Sequence, residues 1–82
     1  MRVEETLRGI PRVTLVDYLV ELGGVEVGDL VRGPGWDVSF EVSSDRIGSL
    51  DIPVVVLRIE GRVRDVRALV EGLRPKTVRA GG

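Results

Sequence analysis

Two chemically versatile side chains are missing from this sequence, which has no cysteine and no histidine. Without cysteine the chain forms no disulfide, holds no zinc–thiolate site and offers no thiol nucleophile. Without histidine it lacks the side chain that most often exchanges protons near neutral pH. Asparagine and glutamine are absent as well, which is typical of heat-resistant proteins and indicates a thermophilic source. These absences favour a protein that is not an enzyme and that carries no cofactor or metal.

A strong excess of one charge is also missing. Lys and Arg number 12, Asp and Glu number 13, and the formal net charge is −1. A protein devoted to nucleic acid or to an anionic membrane needs a basic excess or a basic patch. Nucleic acid is therefore not an expected partner of this chain.

Long hydrophobic runs are absent too. The longest apolar stretch spans residues 54–57, whereas a membrane helix needs about 20 apolar residues. The first residues are charged and lack the apolar segment of a secretory signal. We therefore expect a cytoplasmic protein with no membrane partner. Its 82 residues make one domain, 1–82, with a thin core.

Hydrophobic periodicity predicts five strands and two helices in the order β-α-β-β-β-β-α. The clearest strand is 36–43, in which Trp36, Val38, Phe40 and Val42 share one face, so that Trp36 belongs to the core. Both helices are expected on one face of an antiparallel sheet, which makes an α+β two-layer sandwich. The other predicted strands are 3–7, 25–32 (which Gly28-Asp29 can break), 46–50 and 52–60, and the predicted helices are 11–22 and 62–73.

Turn-forming residues set the predicted ends of these elements. Ser44-Asp45 predicts a turn, and Pro53 is expected at the start of the last strand because it cannot donate a ladder hydrogen bond. That strand is apolar on both faces around residues 54–57, which is typical of a central strand. Gly72 and Pro75 are expected to end the second helix, which leaves residues 76–82 to add a brief edge strand and a flexible end.

The first predicted helix carries an unusually wide apolar surface. Its apolar side chains spread over roughly 220°, whereas a helix on a sheet needs a stripe of about 100°. The second helix, another copy of the chain or a fused domain would cover the excess. In the second case the chain is a homo-oligomer, a dimer that Leu15→Glu or Leu19→Glu weakens without unfolding. The candidate interface consists of Val13, Leu15, Val16, Tyr18, Leu19 and Leu22.

The pair Gly81-Gly82 is a candidate activated C-terminus. Sulfur carriers and ubiquitin-like modifiers end in Gly-Gly because an unbranched tail can thread into an activating enzyme. There the carboxylate is adenylated and then thiolated or conjugated. The alternative is an unstructured end in a glycine-rich chain.

A candidate loop site lies after the clearest strand. Here small and polar residues beside an arginine can form a concavity that accepts an anion. The alternative is a tight connection between strands, in which small residues meet the demands of the backbone. The residues concerned are Arg46, Gly48, Ser49 and Asp51.

Several short sequence words occur together at compatible spacing. They are Tyr18-Leu19-Val20-Glu21-Leu22-Gly23-Gly24, Pro34-Gly35, Ile47-Gly48-Ser49-Leu50-Asp51-Ile52-Pro53, Ile59-Glu60-Gly61 and Gly81-Gly82. In these words the sequence resembles the C-terminal domain of MoaD-related proteins. That small domain of unknown function follows a molybdopterin-synthase-type sulfur-carrier domain. The resemblance, over nearly the whole chain, implies a β-α-β4-α fold like the unit of the TATA-box-binding protein, and it does not imply DNA binding.

Three functions remain after these considerations. The first is a non-enzymatic interaction module linked to sulfur-carrier or molybdenum-cofactor metabolism, which acts by self-association or by binding a protein partner. The second is a protein activated at its C-terminal Gly-Gly. The third is a small-ligand binder that uses the polar face of the sheet.

Overall fold

The computed structural model describes the backbone of residues 1–81 and the side chains of residues 1–78. Five strands and two helices follow one another in the order that the sequence predicts. No described helix is both long and apolar enough to cross a membrane. The elements are β1 (Arg2–Arg8), α1 (Arg12–Glu21), β2 (Val25–Val27), β3 (Leu30–Gly33), β4 (Trp36–Ile47), β5 (Leu50–Gly61) and α2 (Val63–Gly81).

The strands form one antiparallel sheet in the order β1-β5-β4-β3-β2. Gly28, with a φ of +59°, makes the turn between β2 and β3, so the break expected at Gly28-Asp29 is confirmed. β5 pairs with β1 on one side and with β4 on the other, which confirms its position inside the sheet. The α+β class and the element order are therefore as predicted.

Both helices cover the same face of the sheet. Because side chains alternate along a strand, Val38 of β4 and Ile59 of β5, which are directly opposite each other, point to one face. Val31 of β3 points the same way, and all three are fully buried. Trp36 is 5% exposed and completes this face, as predicted. The core contains Ile10, Leu15, Val16, Leu19, Val31, Trp36, Val38, Val55, Leu57, Ile59, Val66, Leu69 and Leu73.

The turn predicted at Ser44-Asp45 is wrong, and so is the separate strand at 46–50. β4 continues to Ile47, and Ile47 pairs with Leu50 across a two-residue turn. Gly48 has a φ of +62°, whereas Ser49, like every non-glycine residue that the structure describes, has no positive φ. This fits a type II′ turn with glycine in its first central position. Ser44-Asp45 offers no glycine for such a turn, and the chain reverses four residues later, at Gly48-Ser49.

The prediction that Pro53 lies at the start of its strand is wrong. It lies inside β5, which begins at Leu50. The N–H of Gly9 donates to the Pro53 carbonyl at 2.8 Å, so the main chain of Pro53 faces the side on which β1 lies. The Pro53 nitrogen, which carries no hydrogen, faces the same side, just beyond the end of β1 at Arg8. Proline therefore costs the sheet one hydrogen bond at its rim.

The prediction that Gly72 and Pro75 end the second helix is wrong, and so is the edge strand expected after it. α2 continues through both residues to Gly81. Gly72 instead serves close packing, because a β-carbon there would lie 2.9 Å from Leu22 Cδ2. Packing of α1 on α2 therefore outweighs the local stop signals.

Candidate interaction surfaces

The predicted interface on α1 is mostly part of the core. Leu15 and Leu19 are 0% exposed and Val16 is nearly as buried, so none of the three is available to a partner. They pack against the sheet because they occupy one stripe of the helix. The burial speaks against the expectation that Leu15→Glu or Leu19→Glu leaves the fold intact, since each would bury a carboxylate.

The second helix covers the flank of α1. Leu22 packs against α2 at Gly72, and both Leu22 and Tyr18 are half-buried. Lys76 Nζ lies 5.6 Å from the centre of the Tyr18 ring and forms an ion pair with Glu21. Intramolecular cover by the second helix, one of the alternatives for the wide apolar surface, accounts for this side. Of the six candidate interface residues only Val13 remains largely exposed, at 67%.

The candidate loop site occupies the tip of the β4–β5 hairpin. Arg46 and Asp51 lie directly opposite each other on neighbouring strands, and Gly48 and Ser49 make the turn between them. All four residues are exposed. The geometry is that of the tight connection between strands, the alternative to an anion-accepting concavity.

The candidate activated C-terminus lies partly within the structure. Gly81 is the last residue of α2, and Gly82 lies outside the described residues. A tail that threads into an activating enzyme has to be extended, so the final turn of α2 would have to unwind first. The prediction stays open.

Arg58 is the centre of an ion-pair network on the sheet face opposite the helices. Its Nε lies 3.1 Å from Glu4 Oε2 on β1, and its Nη2 lies 3.4 Å from Glu41 Oε2 on β4. Arg8 and Asp45 also form an ion pair, which joins β1 to β4 across β5. Further pairs on this open face are Arg2–Glu60 and Arg32–Asp37. The network neutralises most charges on the open face, which suits a surface that another protein can approach.

Apolar side chains also line the open face along β5. Ile52, Val54 and Val56 alternate with the buried core residues and are half-buried themselves. The row continues at the hairpin tip, where Leu50 is 65% exposed and Ile47 is 57% exposed. The sequence signalled this row, because residues 54–57 are apolar on both faces. Position within the sheet explains only part of that signal, because the outward side chains of β5 also line the open face.

The hairpin that carries this row projects beyond the rest of the sheet. β1 pairs with β5 only from Val54 onward, and β3 pairs with β4 only up to Val38. Residues 44–53, which we name the arm, are therefore two strands that pair mainly with each other. Within residues 1–81 there is no cluster of acidic side chains that could hold a metal ion. The arm and the open face both present apolar side chains to solvent.

A comparison with protein families assigns the chain. The model of the family described as archaeal MoaD-like protein matches residues 3–82. The chain belongs to this family. None of the curated proteins matches the sequence. The relation to MoaD proteins, predicted from the sequence words, is thus confirmed at the level of the family. The correspondence of this archaeal MoaD-like chain to a domain fused to a sulfur carrier stays a prediction.

Proposed function

We propose that this archaeal MoaD-like chain is a non-enzymatic interaction domain that binds a protein of sulfur-carrier or molybdenum-cofactor metabolism. The observation that carries the proposal is the exposure of apolar side chains on the arm, where Ile47 and Leu50 are more than half exposed. The lack of cysteine and histidine supports binding over catalysis. Membership of the MoaD-like family supports the choice of partner.

The open face has the composition of a protein-binding surface. Apolar residues at its centre, Ile52, Val54 and Val56, lie between rows of charged residues on β1 and β4. An apolar centre with a polar rim is the usual organisation of a protein–protein interface. The arm extends this surface and gives a partner access from the side that the helices leave open.

Titration calorimetry with a MoaD-type sulfur carrier, alone and together with its activating enzyme, tests the proposal. Leu50→Glu should weaken binding by about tenfold or more, because it places a charge among apolar contacts. Val13→Glu is the matched control, since it adds the same charge to an equally exposed position on α1. Absence of binding at about 100 µM of both proteins, or equal loss in the two variants, would reject the proposed role.

A second candidate function is activation at Gly81-Gly82, which is supported by membership of a MoaD-like family. Incubation with the activating enzyme, ATP and sulfide, followed by intact mass measurement, tests it, because sulfide displaces AMP from the adenylated carboxylate. A thiolated C-terminus replaces one oxygen by sulfur and raises the mass accordingly. An unchanged mass, with an authentic sulfur carrier modified in a parallel reaction, would exclude this function. The small-ligand alternative has no specific observation in its favour.

A further inference from the structure

β1 offers a free edge for strand pairing. The N–H of Gly9 donates to Pro53 O at 2.8 Å, and the N–H of Gly61 donates to Met1 O at 3.1 Å. Odd-numbered residues of this segment therefore direct their main-chain groups toward β5. In an antiparallel ladder the residues between them direct their N–H and C=O groups the other way. The free edge thus consists of Arg2, Glu4, Thr6 and Arg8.

Two β1 strands can pair about a twofold axis in several registers, which differ in the side chains that they place opposite each other. With the axis perpendicular to the sheet, residues on one face meet residues of the same face. A register centred on Glu4 opposes two Glu4 side chains, and one centred on Glu5 opposes Arg2 to Arg8. The register centred on Thr6 places Glu4 opposite Arg8 twice and pairs Thr6 with itself. Opposite charges across a strand pair stabilise it and like charges destabilise it. A register centred on Val3 also brings opposite charges together, because Arg2 then lies opposite Glu4 twice. That register pairs only residues 1–5, whereas the register centred on Thr6 pairs residues 3–9, so the longer ladder is favoured.

The other edges of the sheet are less suited to self-pairing. β2 has 3 residues, too few to support a long ladder. β4 is unpaired beyond Val38 on its outer side. A twofold register there centred on Ser43 opposes Glu41 to Asp45, and those centred on Val42 or Ser44 bring no opposite charges together. Charge complementarity therefore selects β1.

A groove beside β1 also carries charges that can pair with a second copy. It runs between β1 and α2, has a volume of about 250 Å³ and an apolar floor that includes Val66. None of the ion pairs among the described residues includes its charged residues. Two acidic and two basic side chains line it, so each copy presents both signs to the other. They are Glu5, Arg67, Glu71 and Arg74.

We infer that the chain forms a homodimer through antiparallel pairing of β1 with β1 of a second copy, centred on Thr6. The two sheets become one continuous sheet of twice the width, and about six backbone hydrogen bonds form across the axis. Arg8 keeps its contact with Asp45 while it meets Glu4 of the other copy, because a guanidinium has several donors. This replaces α1 as the self-association surface and leaves the arm free for another partner.

Light scattering coupled to size-exclusion chromatography, with sedimentation equilibrium for the dissociation constant, tests this dimer. Thr6→Pro removes an outward N–H from each copy and leaves the β1–β5 ladder intact, because Thr6 does not bond to β5. We expect the dissociation constant to rise by more than about tenfold while the circular dichroism spectrum is unchanged. A dimer that persists in Thr6→Pro overturns the inference, and so does a strictly monomeric wild type at about 1 mM.

A charge exchange tests the register itself. Glu4→Arg should raise the dissociation constant by about tenfold, because on both sides of the axis it places an arginine opposite Arg8 of the other copy. Adding Arg8→Glu should restore the dimer. The matched control is Arg2→Glu, which also breaks an exposed ion pair, Arg2–Glu60, and has no charged residue opposite it in this register. It should leave the dissociation constant unchanged. Failure of the double variant to recover affinity would reject the register centred on Thr6.

Hydrogen exchange followed by NMR supplies an independent readout. At low concentration the amides of Glu4 and Thr6 should exchange quickly, while that of Glu5, which bonds to β5, exchanges slowly. At high concentration the first two should become protected, since they then bond to the second copy. Protection confined to α1 residues instead would move the interface to that helix and overturn the inference.

Discussion

At the scale of single residues, burial separates apolar side chains that look alike in the sequence. Leu15 and Val13 lie two positions apart on α1, yet the first is 0% exposed and the second 67% exposed. Spacing alone places both on a broad apolar surface. The structure assigns the first to the core and the second to solvent, because the sheet accepts only one stripe of the helix.

This difference predicts opposite outcomes for the same substitution. Leu15→Glu should unfold the protein, because a carboxylate buried without a partner costs several kcal/mol, a large part of the stability of so small a domain. Val13→Glu should change the free energy of unfolding by no more than about 0.5 kcal/mol. Urea denaturation followed by the fluorescence of Trp36, the single tryptophan, measures both. Cooperative unfolding of Leu15→Glu with wild-type stability would contradict the assigned burial.

At the scale of elements, the sequence predicts those strands and helices whose local signals agree with their packing in the fold. Alternation identified the strand that starts at Trp36, and apolar spacing identified both helices. The end of α2 could not be predicted. Gly72 looks like a helix stop in the sequence, but in the fold it makes room for Leu22, a contact that the local sequence does not show. Local signals also placed the predicted turn at Ser44-Asp45, although the chain turns at Gly48. Ser44 and Asp45 lie on opposite faces of β4, and both are polar. Two consecutive polar residues interrupt the alternation, and the sequence alone does not distinguish such an interruption from a turn.

The same limit applies to the candidate sites. Five of the six candidate interface residues lie in α1 and Leu22 follows its last residue, but only the packing of the helix decides which of them are buried. The edge of β1 was not predicted as a surface at all. Its free N–H and C=O groups depend on the order of strands in the sheet, which no local pattern in residues 2–8 contains.

The contact between α1 and the part of α2 that follows Pro75 should contribute to stability. Lys76 forms an ion pair with Glu21 and lies over the Tyr18 ring. Lys76→Met keeps the length of the side chain and removes its charge, so it should lower the free energy of unfolding by about 1 kcal/mol. Thermal and urea denaturation measure the loss.

Lys76→Arg is the control for this contact, because it keeps the cation and should retain most of the stability. High salt should narrow the difference between wild type and Lys76→Met, since the ion pair is partly exposed. If Lys76→Met proves as stable as the wild type at low salt, α2 does not hold α1 through this residue.

At the scale of the whole molecule, the hairpin of β4 and β5 sets the shape. Each strand has 12 residues, which at 3.4 Å per residue span about 40 Å. The longest dimension of the molecule is 41 Å. The helices cover only the part of this hairpin nearer to Trp36. Stability should therefore be unevenly distributed along the two strands, because a two-stranded ribbon alone is marginal in water.

Native-state hydrogen exchange tests this uneven stability with two matched pairs on the same ladder. Ser39 and Arg58 pair where the helices cover the opposite face, and Asp45 and Ile52 pair in the arm. The first pair should exchange only through global unfolding. The second should exchange through a local opening that costs several kcal/mol less and depends weakly on denaturant, because little surface is exposed. Equal protection of the two pairs would mean that the arm is as rigid as the body. A partner bound to the arm should then raise the protection of Asp45 and Ile52 alone, which links the local stability of the hairpin to its proposed use.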